Sequence, residues 1–224
     1  MGRMKYSEEE RNTIIVKFLQ CTKEIIYSEG IDQVSIRKVA ARAGFNSATM
    51  YLYFSGSDEL ITLACMSYLE DYCRTILSEI PHMKTVYEAY MRAWDVFSYH
   101  AFQNPQVFDR LFFYPHSKPL KDTAARYYQI YPELLEQSEG IMQDTLLAGT
   151  LSARNMKMLR VLCRDLHIEE PYVTIINDLT VCYFKKLLDE MPENADEATV
   201  KARTGQLLHT LEYLFYGPYG NHPA

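Results

Sequence analysis

The chain has no run of about 18 apolar residues, so no segment reads as a membrane-spanning helix. Its start, MGRMKYSEEE, is polar and lacks the apolar stretch of a secretory signal. Cysteine is sparse: Cys21, Cys65, Cys73, Cys163 and Cys182 are odd in number and form no CxxC or CxxxxC pair. Single cysteines scattered through helical patterns are expected to be buried, reduced thiols of a cytoplasmic protein. The six histidines stand apart, with no HxxxH or HExxH, so no metal site is expected. GxSxG, Walker and GxGxxG patterns are missing too, which leaves no constellation for an enzyme or a bound cofactor to rest on. Nor does any stretch alternate apolar and polar residues long enough for a sheet. What remains is an all-α chain.

What the chain does have is apolar and aromatic mass. Hydrophobic residues make up 48% of its 224 positions, and 18 Tyr and 10 Phe are a generous aromatic load. The net charge of −6 is unevenly spread: residues 1–56 carry +2 and residues 57–224 carry −8. The only basic part is therefore N-terminal, and its excess is small. Any phosphate attraction there should be modest and salt-sensitive.

Residues 30–60, GIDQVSIRKVAARAGFNSATMYLYFSGSDEL, are the most informative stretch. Ser35 is a good N-cap, and Ile36, Val39 and Ala40 follow on one helical face. Gly44 comes after the helix-forming run RKVAARA, where a left-handed residue often closes a helix. Phe45 then supplies an apolar plug, Asn46 a second N-cap, and Met50 and Phe54 a new inward face. Two helices joined by a glycine turn form the helix-turn-helix that sets its second helix into a DNA major groove. Ahead of it, Ser7 and Glu10 make a capping box for a first helix that Gly30 stops. Behind it, Ser57 is expected to cap a helix running to Ile80, a rod of roughly 34 Å at 1.5 Å per residue.

The order G-I-x-x-V-S-I-R-x-V-A-x-x-A-G-F-N-x-A-T-M-Y-x-Y-F, closed by Asp58-Glu59-Leu60, resembles the DNA-binding domain of TetR-family transcriptional regulators. The resemblance covers about the first quarter of the chain without a gap. It implies an all-α fold with an N-terminal three-helix DNA-binding domain over residues 1–56 and a larger helical ligand-binding and dimerisation domain over 57–224. By the same resemblance the recognition helix is Asn46 to Tyr53. Ser47, Ala48, Leu52 and Tyr53 occupy positions that face base edges, while Ser35, Arg37, Thr49 and Tyr51 match positions that contact phosphates. Hydroxyls and helix N-terminal amides suit phosphates, and short apolar side chains suit thymine methyls. The sequence departs from the family at Ser55 and Ser57, where basic residues are common. Either the phosphate grip is weaker for it, or Arg3 and Lys5 supply it from the N-terminal arm.

Further along, helical runs are expected at 84–103, 105–114, 119–131, 132–148, 152–166, 171–191 and 196–216, punctuated by Asn104-Pro105, Lys118-Pro119, Gly149, Glu170-Pro171 and Met191-Pro192. Between Tyr87 and Tyr131 aromatics are dense. Resemblance to the family makes this a ligand cavity walled by Tyr87, Tyr90, Trp94, Phe97, Phe108, Phe112, Tyr127 and Tyr128, with Asp95 and His100 among the polar candidates. The competing reading is ordinary core. The last two long helices are apolar over wide arcs, with Tyr172, Ile176, Leu179, Tyr183 and Leu187 on one and Leu207, Leu211 and Leu214 on the other. Gly205 is a candidate close crossing point. The resemblance makes these arcs the interface of a homodimer. The expected partners are thus a double-stranded DNA operator, a small-molecule effector and a second copy of the chain, with no membrane. The expected function is a ligand-responsive regulator, most readily a repressor. A ligand-independent architectural or protein-binding member of the same fold, and a helical-bundle enzyme or metal-binding protein, are the alternatives.

Overall fold

The computed structural model describes residues 7–116, 118–136 and 140–217, and all regular structure among them is helical. Helix α1 (Glu8–Glu29) opens on the expected capping box. The Glu10 amide donates to Ser7 Oγ at 3.2 Å, and the Ser7 amide donates to Glu10 Oε2 at 2.7 Å. A 3₁₀ turn (Ile31–Gln33) leads to α2 (Ile36–Ala43) and α3 (Ser47–Met50). Their small core forms around Phe18, which is fully buried against the rings of Phe45, Tyr53 and Phe54 at centroid distances of 5.3, 6.4 and 6.0 Å. Val39, Ala43 and Met50 close it from the α2–α3 side.

The long helix expected from Ser57 to Ile80 is interrupted. Helix α4 (Ser57–Met66) passes through a 3₁₀ turn (Ser67–Leu69) into α5 (Glu70–Glu79). Ser67 Oγ donates to the Ala64 carbonyl at 2.8 Å, and a hydroxyl competing for a backbone carbonyl loosens the helical ladder. The start differs as well: Gly56, not Ser57, is the N-cap.

Eight helices follow: α6 (Val86–Gln103), α7 (Pro105–Phe112), α8 (Leu120–Ile130), α9 (Glu133–Glu136), α10 (Gly140–Leu147), α11 (Leu151–Asp165), α12 (Glu170–Asp189) and α13 (Glu197–Tyr216). The single run expected over 132–148 is thus two helices, and the residues that join them lie outside those described. Pro105 and Pro171 sit in first turns, where a missing amide costs no hydrogen bond. At Gly149 an added Cβ would lie 2.9 Å from the Lys121 amide nitrogen, so the turn before α11 meets α8 backbone to backbone.

Two helices organise the packing. Helix α4 lies against α1 on one side and against α7 and α8 on the other, so it belongs to both parts of the molecule. Helix α6 runs through the larger part against α5, α11 and α13. Its Phe97 meets Tyr72, Trp94, Phe108, Phe112 and Phe184 with centroids 5.3–5.6 Å apart, the edge-to-face range in which rings pack favourably. Cys21, Cys65, Cys73 and Cys163 are buried, whereas Cys182 is exposed. Burial pushes the Cys65 thiol up to about 12 and Cys73 to about 11, which keeps both unreactive. Among the described residues no helix is long and apolar enough to cross a membrane.

Candidate nucleic-acid interface and the helical domain behind it

The turn between α2 and α3 is built by its own residues. Ser35 Oγ accepts the Lys38 amide at 3.3 Å and starts α2. At its end Gly44 adopts the left-handed conformation (φ 76°, ψ 26°). The Phe45 amide donates to the Ala40 carbonyl at 2.9 Å and the Gly44 amide to Ala41 at 3.2 Å, which is a Schellman closure. Asn46 Oδ1 then accepts the Thr49 amide at 2.9 Å and the Thr49 hydroxyl at 3.1 Å. The α-helical part of the recognition element is short. After Met50 the chain continues in tight turns, with the Leu52 amide donating to Thr49 and the Tyr53 amide to Met50.

With Met50 and Phe54 turned inward, the opposite side of this unit is open. Ser35, Arg37, Asn46, Ala48, Tyr51 and Leu52 are exposed, and Ser47 and Thr49 are half-buried. Tyr51 and Leu52 expose 58% and 57% of their surface. Tyr53 breaks from this group and corrects the expectation of a base contact: it is 9% exposed, because its ring belongs to the Phe18 cluster. Two cations that the motif did not point to stand nearby on α1. Arg11 lies 5.9 Å from the Tyr53 ring centroid and Lys17 5.5 Å from that of Phe45. Lys38 is paired with Glu29 at 2.6 Å. Arg3 and Lys5 lie outside the described residues.

Ser55 is held by Glu59 of α4. Glu59 Oε2 accepts both the Ser55 amide at 2.6 Å and the Ser55 hydroxyl at 2.7 Å. Its Oε1 accepts from Lys118 at 2.8 Å and Arg126 at 2.6 Å. Burial alone would raise the Glu59 carboxyl. The hydrogen bonds from Lys118, Ser55 and Arg126 outweigh it and hold the group at about 2. A second tie joins Asp58 to Arg110 of α7.

In the larger part, the aromatic cluster is filled core in this structure rather than an open cavity. Tyr90, Trp94, Phe97, Phe108, Tyr127 and Tyr128 are buried against one another and their neighbours, and Phe112 packs on Phe97. The space left between Tyr72, Trp94, Phe97, Arg154, Asn155 and Met158 is about 30 Å³, water-sized and far below the several hundred Å³ of a usual ligand pocket. The remaining candidates are dispersed. Tyr87 packs at the far end on Phe215 and Tyr216. Asp95 pairs with Arg92, and with His100 it lines a separate outer groove against α13. Burial lowers the pKa of His100.

The sequence reading missed a buried polar chain beside that small space. The Tyr90 hydroxyl and the Trp94 indole each donate to Asn155 Oδ1 at 2.9 Å. Asn155 Nδ2 donates to Asn177 Oδ1 at 3.0 Å, and Asn177 Nδ2 to Ser152 Oγ at 2.8 Å. Arg154 is 5% exposed and donates through Nε to the Ala148 carbonyl at 3.0 Å. A signal was present: Asn155 interrupts the apolar spacing Leu151, Leu159, Leu162 on the buried face of α11.

The arcs of the last two helices also divide. Ile176, Leu187, Leu207 and Leu211 are buried within the chain, because α12 and α13 turn those faces onto α6, α7 and α11; this corrects their assignment to an interface. Tyr172 and Leu179 are exposed, Tyr183 and Leu214 half-buried. Ile175, Cys182 and Tyr213 are exposed as well, and Gln206 donates to the Tyr183 hydroxyl at 2.9 Å, joining the outer faces of both helices. Gly205 is exposed, and a Cβ added there would meet nothing within 4 Å beyond its own helix, so it mediates no crossing within the chain.

A model of the bacterial regulatory proteins of the tetR family matches residues 18–63, the segment from the middle of α1 into α4. An uncharacterized HTH-type transcriptional regulator of Haemophilus influenzae is 25% identical over 114 residues, 51% of this chain. That alignment spans 61% of the relative's length. Among solved structures, RolR in complex with the ligand resorcinol is similar at a TM-score of 0.56 and 12% identity, over 91% of this chain and 90% of RolR. Thermus thermophilus FadR, a TetR-family transcriptional repressor in complex with lauroyl-CoA, gives 0.56 and 11%, over 94% and 99%. At such identities the likeness carries the fold, which extends along nearly the whole chain, while the family match falls on the helix-turn-helix. Over residues 18–63 the chain thus carries the helix-turn-helix segment of the tetR family of bacterial regulatory proteins.

Proposed function

We propose that the protein acts as a homodimeric repressor that binds a roughly palindromic operator and is released from it by a small molecule. The observation that carries this reading is the exposure of Tyr51 and Leu52 side by side on the recognition element, between the buried Met50 and the buried Tyr53 and Phe54. Large side chains left open on a basic helix-turn-helix are what a DNA groove would cover. Ser35, Arg37, Asn46 and the two cations of α1, Arg11 and Lys17, surround them with phosphate-binding chemistry. We divide the chain at Gly56, with α4 as the element shared by the DNA-binding domain before it and the effector domain after it.

The outer stripe Tyr172, Ile175, Leu179, Tyr183 on α12, with Gln206 and Tyr213 on α13, supports a two-fold interface between copies. Such pairing would set two recognition elements one DNA turn apart. The effector reading rests on Trp94, Arg154 and Asn155 beside the residual space. An entering molecule must open this core, so its binding would shift α10 and α11 relative to α6. A ligand-independent member is the second reading, and the filled core favours it.

Selection of duplexes from a random DNA pool tests the proposal. An enriched palindrome with two half-sites is the expected result; no enrichment refutes it. Screening compounds for release of that duplex separates the two readings, since a ligand-independent regulator is released by none.

A further inference from the structure

Behind the recognition element, the guanidinium of Arg126 on α8 makes three contacts at once. It donates to the Tyr53 carbonyl at 2.6 Å and to Glu59 Oε1 at 2.6 Å, and it lies 5.1 Å from the centroid of the Phe54 ring. Tyr53 closes the tight turns that follow α3. The chain just beyond it is held by the same pair of groups, because the second oxygen of Glu59 accepts the Ser55 amide and hydroxyl. Tyr53 and Phe54 are therefore fastened directly to a helix of the larger domain, and Ser55 is joined to it through Glu59 of α4.

We infer that Arg126 is a positioning residue for DNA recognition: it ties the exit of the recognition element to α8 and so sets the depth and angle at which Tyr51 and Leu52 are presented. The planar fork of arginine can bridge a carbonyl and a carboxylate together, whereas a lysine ammonium on the same carboxylate leaves the carbonyl without its partner. The Glu59 carboxyl is held well below the usual carboxylate range, so the bridge is charged at neutral pH. Helix α8 is itself anchored on α5, with the Tyr127 hydroxyl donating to Glu70 and Tyr128 beside Cys73. A displacement of α8 by an opening core would reach the Tyr53 backbone through Arg126.

The test rests on the DNA-binding reading and uses a duplex that the wild-type chain selects from a random pool. Arg126→Lys keeps a charge for Glu59 and loses the bridge; Arg126→Met loses both. Arg126→Lys is expected to melt near the wild-type temperature yet bind the selected duplex about 10-fold more weakly, an effect within the range of one lost recognition contact. Its salt slope should be unchanged, because no phosphate contact is removed. Amide exchange at Phe54 and Ser55 should accelerate. If Arg126→Met does not fold, the lysine variant decides alone. Wild-type affinity in Arg126→Lys, or a salt slope reduced by about one as for a direct phosphate contact, overturns the inference. A wild-type chain that selects no duplex overturns the DNA reading and this role with it, so the two failures are distinguishable.

Discussion

The indole N–H of Trp94 on α6 donates to Oδ1 of Asn155 on α11 at 2.9 Å, at the head of the buried polar chain that runs on to Asn177 and Ser152. The bond fixes α11 against α6 at the edge of the residual space. Asn155→Ala would leave the indole N–H and the Asn177 carbonyl oxygen without their partner. Because each unsatisfied buried group costs about 1–3 kcal/mol, a loss of about 3 kcal/mol is expected. Urea denaturation would read it as a lower midpoint at unchanged slope. A change under 1 kcal/mol would mean that water replaces the asparagine.

The division between inner and outer faces of α12 and α13 yields a second prediction. Leu179→Asp lies on the open stripe and should leave the helix content unchanged while converting a dimer to a monomer in sedimentation velocity. Leu207→Asp buries a charge in the intrachain core and should unfold the protein. If Leu179→Asp sediments as the wild type, the stripe is not the dimer face.

Tyr51 and Leu52 should fail in different ways. Tyr51→Phe removes the hydroxyl that the proposal assigns to a phosphate, so affinity should fall several-fold on all sequences alike. Leu52→Ala removes a contact suited to a base edge, and its loss should fall mainly on the preferred half-site, by about 1–3 kcal/mol at most. Fluorescence anisotropy on the selected duplex and on a scrambled one measures both. Equal losses on the two duplexes for Leu52→Ala would remove it from the reading surface.

Glu59 makes the junction acid-sensitive. Its folded pKa, about 2, lies below the ordinary 4.5, so its contribution to stability is complete above 4.5 and is lost as pH falls from there toward 2. Wild-type stability should therefore fall across that window more steeply than that of Glu59→Gln, which lacks the titrating group. Urea midpoints at pH 5, 4 and 3 give the comparison. Parallel curves would assign the acid sensitivity to other carboxylates.

The local chemistry of the DNA-binding unit was legible in sequence because its signals are short-range. Ser35, Gly44 and Asn46 act on residues three or four positions away, and each does what its type and spacing imply. Ser57 misled because the backbone before α4 is capped by Glu59 reaching back, so glycine suffices at the cap. The break at Ser67–Leu69 carries no proline or glycine and rests on one serine hydroxyl. Beyond the helix-turn-helix, periodicity marks an apolar face without saying what covers it. Leu187 and Leu207 meet their own chain while Tyr172 and Leu179 do not, and only the packing of α12 and α13 separates them. The aromatic stripe of α6 reads equally as cavity wall or core. The position of Asn155 within an apolar period was the more informative signal.

Hydroxyl-radical footprinting of the wild-type chain on its selected duplex tests the central claim most directly. Two protected patches are expected, centred about 34–36 Å apart or a multiple of that distance, as for two recognition elements related by a dyad. Both patches should disappear together in Leu179→Asp. A single patch, or protection that survives loss of Tyr51 and Leu52, would contradict a dimer that reads DNA through the open face of α2 and α3.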